Sequence, residues 1–227
     1  MIVVFECVSI EIYGKIPADT TSSLLTHPGA SMQPDMVITG FGPFGPHDRN
    51  PSDAFAHAVH DALQAYGVHA SPVTLPVTWG VAARAPAKLG ADGVLIVHCG
   101  LAADRAEVNL ERGASNVAGP TPDVEGVVAT GVLDAEGPAR LTTTLDLDAL
   151  ELAMAESLGD TLGVRQSDDA GTYICNAIYY RALQARGGDA LFVHIPDLVA
   201  PDEIERVARA FADALASVVF SRHNADV

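Results

Sequence analysis

A three-layer α/β/α sandwich around a mostly parallel sheet is the fold this sequence predicts, and three observations predict it. From Met36 onward, apolar runs of strand length alternate with stretches of helical period, the pattern of parallel strands joined by helical crossovers. One run, Gly93-Val94-Leu95-Ile96-Val97-His98-Cys99, is apolar almost throughout, as a strand covered on both faces must be. The chain has 227 residues and is 48% hydrophobic, which suffices for one sizeable domain with a buried core.

The elements follow in order. Residues 1–35 show a short apolar segment and then Pro17-Ala18-Asp19-Thr20-Thr21-Ser22-Ser23, with no strand or helix period up to Met36. They are expected to be a disordered tail, or the product of an upstream start codon used in place of Met32 or Met36. Residues 36–227 are expected to form a single domain. Its first strand is predicted over 37–40. Asn50 then caps a helix that has Pro51 at its first position and Phe55, Val59, Ala62, Leu63 and Tyr66 on one face. A strand over 73–77, a helix to about residue 89 and the buried strand over 93–99 come next. The 100–143 region is less regular. Leu147, Leu150, Met154 and Leu158 mark an amphipathic helix, and a helix from about Cys175 and a strand around His194 follow. Ile204, Val207, Ala208, Phe211 and Leu215 line a final helix.

Composition excludes several classes of function. The formal charge is −16, from 29 acidic against 13 basic residues, and Lys15 and Lys88 are the only lysines. Such a surface repels nucleic acid and anionic membrane, so neither is an expected partner. No run of eighteen or more apolar residues is present, and the first residues lack the basic start of a signal peptide. A cytoplasmic protein is expected, either simply acidic or adapted to high intracellular salt, where screening makes such a surface tolerable. Three cysteines, Cys7, Cys99 and Cys175, have neither zinc spacing nor a disulfide framework. Reduced thiols are expected, with Cys99 structural. No metal or cofactor is called for: Gly42-Pro43-Phe44-Gly45 lacks the glycine spacing and lysine of a phosphate loop. His57, His60 and His98 read as structural or solvent-facing.

The stretch that points to chemistry is Asp169-Ala170-Gly171-Thr172-Tyr173-Ile174-Cys175-Asn176. It ends a glycine turn and delivers a cysteine to the start of a helix, where first-turn N–H groups and the helix dipole favour a thiolate and stabilise an oxyanion beside it. Leu191-Phe192-Val193-His194-Ile195-Pro196 supplies a histidine near the end of a short strand. The two can meet at one sheet edge. By itself each has a plainer reading, since a lone cysteine in an apolar segment is more often a small buried hydrophobe.

Further motifs precede these two: Val37-Ile38-Thr39-Gly40-Phe41-Gly42-Pro43-Phe44-Gly45, Asn50-Pro51, Gly100-Leu101-Ala102 leading to Leu110-Glu111-Arg112 and Asn116, and Pro122-Asp123-Val124-Glu125-Gly126. In this order and spacing, from about residue 36 to about 215, the chain resembles the pyroglutamyl peptidase I (pyrrolidone-carboxylate peptidase) family of cysteine peptidases. The resemblance implies hydrolysis of the amide bond after an N-terminal pyroglutamyl residue, without metal or cofactor. It implies Cys175 as nucleophile, His194 as general acid and base, and Glu111 as the group orienting the imidazole. It also implies Phe41 and Phe44 against the lactam ring, and supporting roles for Asn116 and Asn176. Substrates would be peptides or proteins with N-terminal pyroglutamate; homo-oligomers are common in the family, and monomer and homo-oligomer both stay open.

Without the resemblance, Glu111-Arg112 would read as a surface ion pair and His194 as a hydrogen-bonded core histidine. One departure stands out. Many bacterial relatives carry an arginine shortly after the Glu-Arg motif, whereas Val117-Ala118-Gly119-Pro120-Thr121 has none. An oxyanion would then rest on backbone N–H groups near Cys175, with or without another donor. Two rivals follow: a cysteine amidase for another small acyl group, and a non-catalytic binding homologue.

Overall fold

The computed structural model describes residues 36–45, 48–89 and 94–225, and among these residues eight strands and five α-helices build the fold. The expected tail over 1–35 lies outside the described residues. In chain order the elements are β1 (Met36–Phe41), α1 (Pro51–Gln64), β2 (Ala70–Leu75), α2 (Trp79–Arg84), β3 (Leu95–Leu101), β4 (Val108–Glu111), β5 (Gly113–Ser115), β6 (Arg140–Thr142), α3 (Leu147–Leu158), β7 (Val164–Ser167), α4 (Ile174–Ala185), β8 (Ala190–Ile195) and α5 (Pro201–Ala225).

Six strands form the main sheet in the order β2-β1-β3-β8-β4-β7, and β5 and β6 make a separate two-stranded antiparallel ribbon. Every pairing in the main sheet is parallel except that between β4 and β8. The predicted mostly parallel sheet is therefore present. Helices α1, α3 and α5 pack on one face around Ile38, Phe55, Val97, Leu110, Met154, Val193 and Phe211. Helices α2 and α4 and the ribbon cover the other, around Phe41, Ile96, Ile178, Tyr179, Tyr180 and Phe192.

The strand period of two sorts residues between these layers. Along β3, Val97 and Cys99 face the α1–α5 layer while Ile96 faces α4. Along β8, Val193 and Ile195 take the first side and Phe192 the second. His194, Gly100 and Glu111 keep the same phase as Phe192, Ile96 and Asn109 respectively, so the polar positions of three neighbouring strands share the α4 side.

Local signals set several boundaries. Asn50 caps α1 as expected, its side chain accepting from the Ser52 N–H, and Pro51 occupies the first turn. Thr78 and Asp146 cap α2 and α3 in the same manner. Helix α1 ends earlier than its apolar face suggested: Tyr66 lies beyond the helix, 43% exposed, with its hydroxyl donating to Asp213. The second strand is Ala70–Leu75 rather than 73–77, and Pro72 is accommodated because β2 is an edge strand. The second helix stops at Arg84, short of 89. The irregular 100–143 region holds three short strands that its composition did not announce.

Candidate active site

Cys175 is the second residue of α4, and the loop before it is shaped to present it. Gly171 has φ of 79°, a left-handed conformation that a side chain resists, and its N–H donates to the Asp169 carboxylate. Tyr173 at the N-cap is extended and places no side-chain acceptor on the first turn. The uncapped N–H groups of that turn are available to an anion. The next residue, Asn176, fastens the turn to the ribbon: its Oδ1 accepts from the Ser115 N–H at 2.8 Å, and its Nδ2 donates to the carbonyls of Ser115 at 2.8 Å and Val117 at 2.9 Å.

His194 and Glu111 come from β8 and β4, the one antiparallel pair of the main sheet, in which Asn109 lies opposite His194 and Glu111 opposite Phe192. The His194 Nδ1–H donates to Glu111 Oε1 at 2.7 Å, which fixes the ring tautomer and leaves Nε2 as the basic nitrogen. Both side chains are buried, Glu111 completely. The Tyr179 hydroxyl donates to the Glu111 backbone carbonyl at 2.9 Å, and Phe192 lies against the His194 ring with centroids 4.6 Å apart. The pair is thus held from strand, helix and core.

A third group joins them that sequence reasoning passed over. Arg105, in the loop between β3 and β4, donates through Nη1 to Glu111 Oε1 at 2.7 Å and to Asn109 Oδ1 at 2.8 Å, and through Nη2 to the Asp169 carbonyl at 2.6 Å. Glu111 therefore pairs with Arg105 and His194, whereas its sequence neighbour Arg112 pairs with Asp168. The surface-pair reading of Glu111-Arg112 does not hold. An arginine six residues before the glutamate, in a loop leaving a buried strand, was the available signal.

Cys175, His194 and Arg105 line one cavity of about 360 Å³ together with Phe41, Phe44 and Tyr173. Phe41 is buried at the end of β1 and Phe44 is half-buried, so apolar surface faces the polar trio. A larger adjoining cleft of about 540 Å³ shares Phe41 and Asn50 with this cavity but contains neither Cys175 nor His194. Asn116 lies elsewhere. Its side chain ties residues 134 and 137 together, accepting from the Asp134 N–H and donating to the carbonyls of Asp134 and Gly137.

Burial pushes the Cys175 thiol up to about 12, and the Glu111 carboxylate adds to that shift; its own backbone N–H and the Arg105 guanidinium oppose it. Beside a neutral imidazole the thiol keeps its proton, so a thiolate at neutral pH needs a cationic partner. Cys99 is buried, its thiol pushed up by desolvation, in keeping with a structural role. His98 is also fully buried, with Nδ1 2.6 Å from the Thr39 hydroxyl, and burial lowers its pKa to about 3. No group of three or more His, Cys, Asp or Glu side chains suited to a metal occurs among the described residues.

Comparison with known proteins finds relatives of this chain by sequence and by fold. A family model described as pyroglutamyl peptidase matches residues 34–214. A pyrrolidone-carboxylate peptidase from Deinococcus radiodurans is 34% identical over 177 residues, covering 72% of this chain and 78% of that protein. Pyroglutamyl-peptidase 1 of Mus musculus is 28% identical over 190 residues, 81% of this chain and 90% of that protein. The crystal structure of pyrrolidone carboxyl peptidase from Thermus thermophilus aligns with a TM-score of 0.67 at 29% identity, covering 80% of this chain and 98% of that one.

Proposed function

The chain belongs to the pyroglutamyl peptidase family, and on that premise we propose that it removes N-terminal pyroglutamate from peptides or proteins, with Cys175 as nucleophile, His194 as acid and base, and Glu111 as the group that orients the imidazole. One observation carries the reading: a cysteine on an uncapped helix start opens into the same cavity as a histidine whose second nitrogen is held by a buried carboxylate.

The steps follow from these positions. The Cys175 proton passes to His194 Nε2, and the sulfur attacks the pyroglutamyl carbonyl carbon. The oxyanion of the tetrahedral intermediate takes hydrogen bonds from first-turn N–H groups of α4. The imidazolium protonates the departing amine and a thioester remains. Neutral His194 then takes a proton from water, whose oxygen displaces the sulfur and frees pyroglutamate. Phe41 and Phe44 offer apolar faces to the lactam, which has no ammonium group to be met by a carboxylate. The adjoining cleft gives room for the peptide that follows.

Release of a fluorophore from pyroglutamyl-amide, beside prolyl- and alanyl-amide controls, tests the proposal. Selective turnover lost in Cys175→Ser supports it. Turnover that persists in that variant removes Cys175 as nucleophile, and preference for a control substrate favours an amidase of another small acyl group. We also infer a cytoplasmic setting from the free thiols and salt adaptation from the acidic, lysine-poor composition. Full activity and an undiminished melting temperature in salt-free buffer would sink the salt reading.

A further inference from the structure

We propose that Arg105 is a positioning residue of this site: it balances the buried charge of Glu111 so that Cys175 can ionise beside His194, and it anchors the loop leading to Cys175 on the same carboxylate. The inference rests on the proposed roles of Cys175, His194 and Glu111. Its own basis is the geometry of the guanidinium.

Glu111 is completely buried, and its Oε1 receives both the His194 and the Arg105 N–H at 2.7 Å, while Oε2 is buried with no hydrogen-bond partner. A carboxylate so placed does two opposed things. It favours a cationic imidazole, and it disfavours a thiolate in the same cavity. A guanidinium on the same oxygen removes the conflict: Glu111 and Arg105 cancel, and a thiolate with an imidazolium forms a second neutral pair beside them. An arginine suits the task because it stays charged and can use two nitrogens at once. Here Nη1 serves Asn109 and Glu111 on β4, and Nη2 reaches the Asp169 carbonyl, two residues before Gly171. One side chain thereby ties the acid of the site to the loop that delivers its nucleophile.

The charged and titratable groups around Cys175 are few enough to make the effect readable. Asp104, Arg105, Asp169 and Tyr173 line the cavity from the two loops and His194 from β8, while Glu111 stands behind His194 on β4. Tyr173 titrates above its ordinary value, because of burial first and then the Asp123 and Cys175 charges. Asp104 and Asp169 carry the same sign as Glu111, so among the described residues Arg105 is the cation of the cavity lining apart from the imidazole itself.

The test is the pH profile of kcat/KM for pyroglutamyl-amide, paired with the pH dependence of inactivation by iodoacetamide. In Arg105→Met the site loses a positive charge. Both limbs of the profile and the onset of alkylation then move to higher pH, by about one unit for a charge at this range. Arg105→Lys restores most of the shift. Glu111→Gln moves the limbs the opposite way, and Arg105→Met/Glu111→Gln returns them toward the wild-type positions. A role in folding alone would lower activity without moving the limbs. Should Arg105→Met fail to fold around a lone carboxylate, the double variant is compared with Glu111→Gln, and its limbs should lie higher. Unmoved limbs and alkylation onset in a folded Arg105→Met protein, or in that double comparison, overturn the proposal. Activity retained in Cys175→Ser would instead overturn the peptidase mechanism on which it rests.

Discussion

Asn176 pairs with Ser115 as one strand residue pairs with another: the side-chain amide accepts from the Ser115 N–H and donates to the Ser115 carbonyl, both at 2.8 Å. A side chain thus continues the hydrogen bonding of β5 into the turn that carries Cys175. Asn176→Ala leaves that N–H and the Ser115 and Val117 carbonyls without this partner in a partly buried setting. A loss of about 2–4 kcal/mol is expected, given about 1–3 kcal/mol for each buried group left unsatisfied and some relaxation. Urea unfolding measures it, and kcat should fall with it because the Cys175 turn is released.

Gly100 is the register partner of His194 on the adjacent strand. A Cβ there would lie 2.7 Å from the Phe192 ring and 3.3 Å from the Cys175 sulfur. Phe192 is fully buried and packs on His194 and Tyr179, so it cannot yield without disturbing the imidazole. Gly100→Ala should therefore cost about 1–3 kcal/mol of stability, as overpacking does, and lower kcat/KM by roughly tenfold or more for a displaced reacting group. Wild-type kinetics in that variant would contradict the close approach of β3 to the cysteine.

Asp123 gives acid sensitivity to the loop beside Tyr173. Burial works against its carboxylate, but N–H donors from Trp79, Val127 and Glu125 outweigh it and hold the pKa below the ordinary 3.8. The stabilisation is complete above that ordinary value and is lost as pH falls through the lower value of the folded protein. Asp123→Asn replaces an acceptor oxygen by a donor. The stability gap between wild type and variant should be constant near neutrality and close in acid. Urea midpoints measured down the pH scale check this, and a gap that stays the same in acid would contradict it.

Phe44 is half-buried at the mouth of the cavity and Phe41 is buried at its wall, so truncating them has different consequences. Phe44→Ala should raise KM for pyroglutamyl-amide by roughly tenfold, as about 1–3 kcal/mol of apolar contact to the substrate is lost, and should cost less stability than Phe41→Ala because Phe44 is only partly packed against the core. Phe41→Ala should also destabilise the protein by about 3–5 kcal/mol. Steady-state kinetics alongside thermal melts separate the two.

The parallel sheet, the cap at Asn50 and the buried run through Cys99 were legible in the chain because each has a local signal: alternation of period, a capping residue, an apolar run. Cys175 had the glycine turn before it, whereas Glu111 and His194 were assigned their roles only through the resemblance to a family. The missed pieces lack a local signal. Strand β4 is four residues long and carries Asn109 and Glu111 toward α4, so its pattern reads as an irregular polar loop. Strands β5, β6 and β7 are three or four residues each and take their stability from partners far along the chain. Arg105 was invisible for a related reason. Its partners Glu111, the last residue of β4, and Asp169, just after β7, come together only because β4 and β7 are neighbours in the sheet.

The place of β8 in the sheet sets when a newly made chain can first act. Residues 190–195 enter between β3 and β4 as an interior strand, although they are the last strand to be synthesised. Until they emerge from translation, the strand that bears Gly100 and the strand that bears Glu111 have no common neighbour, and the imidazole of the site does not yet exist. On the proposed mechanism the nascent polypeptide is therefore expected to be proteolytically silent until β8 is made, through most of a synthesis that runs at roughly 5–20 residues per second. A truncated product ending before residue 190 lacks both β8 and His194, and on the proposed mechanism it is expected to release no pyroglutamate.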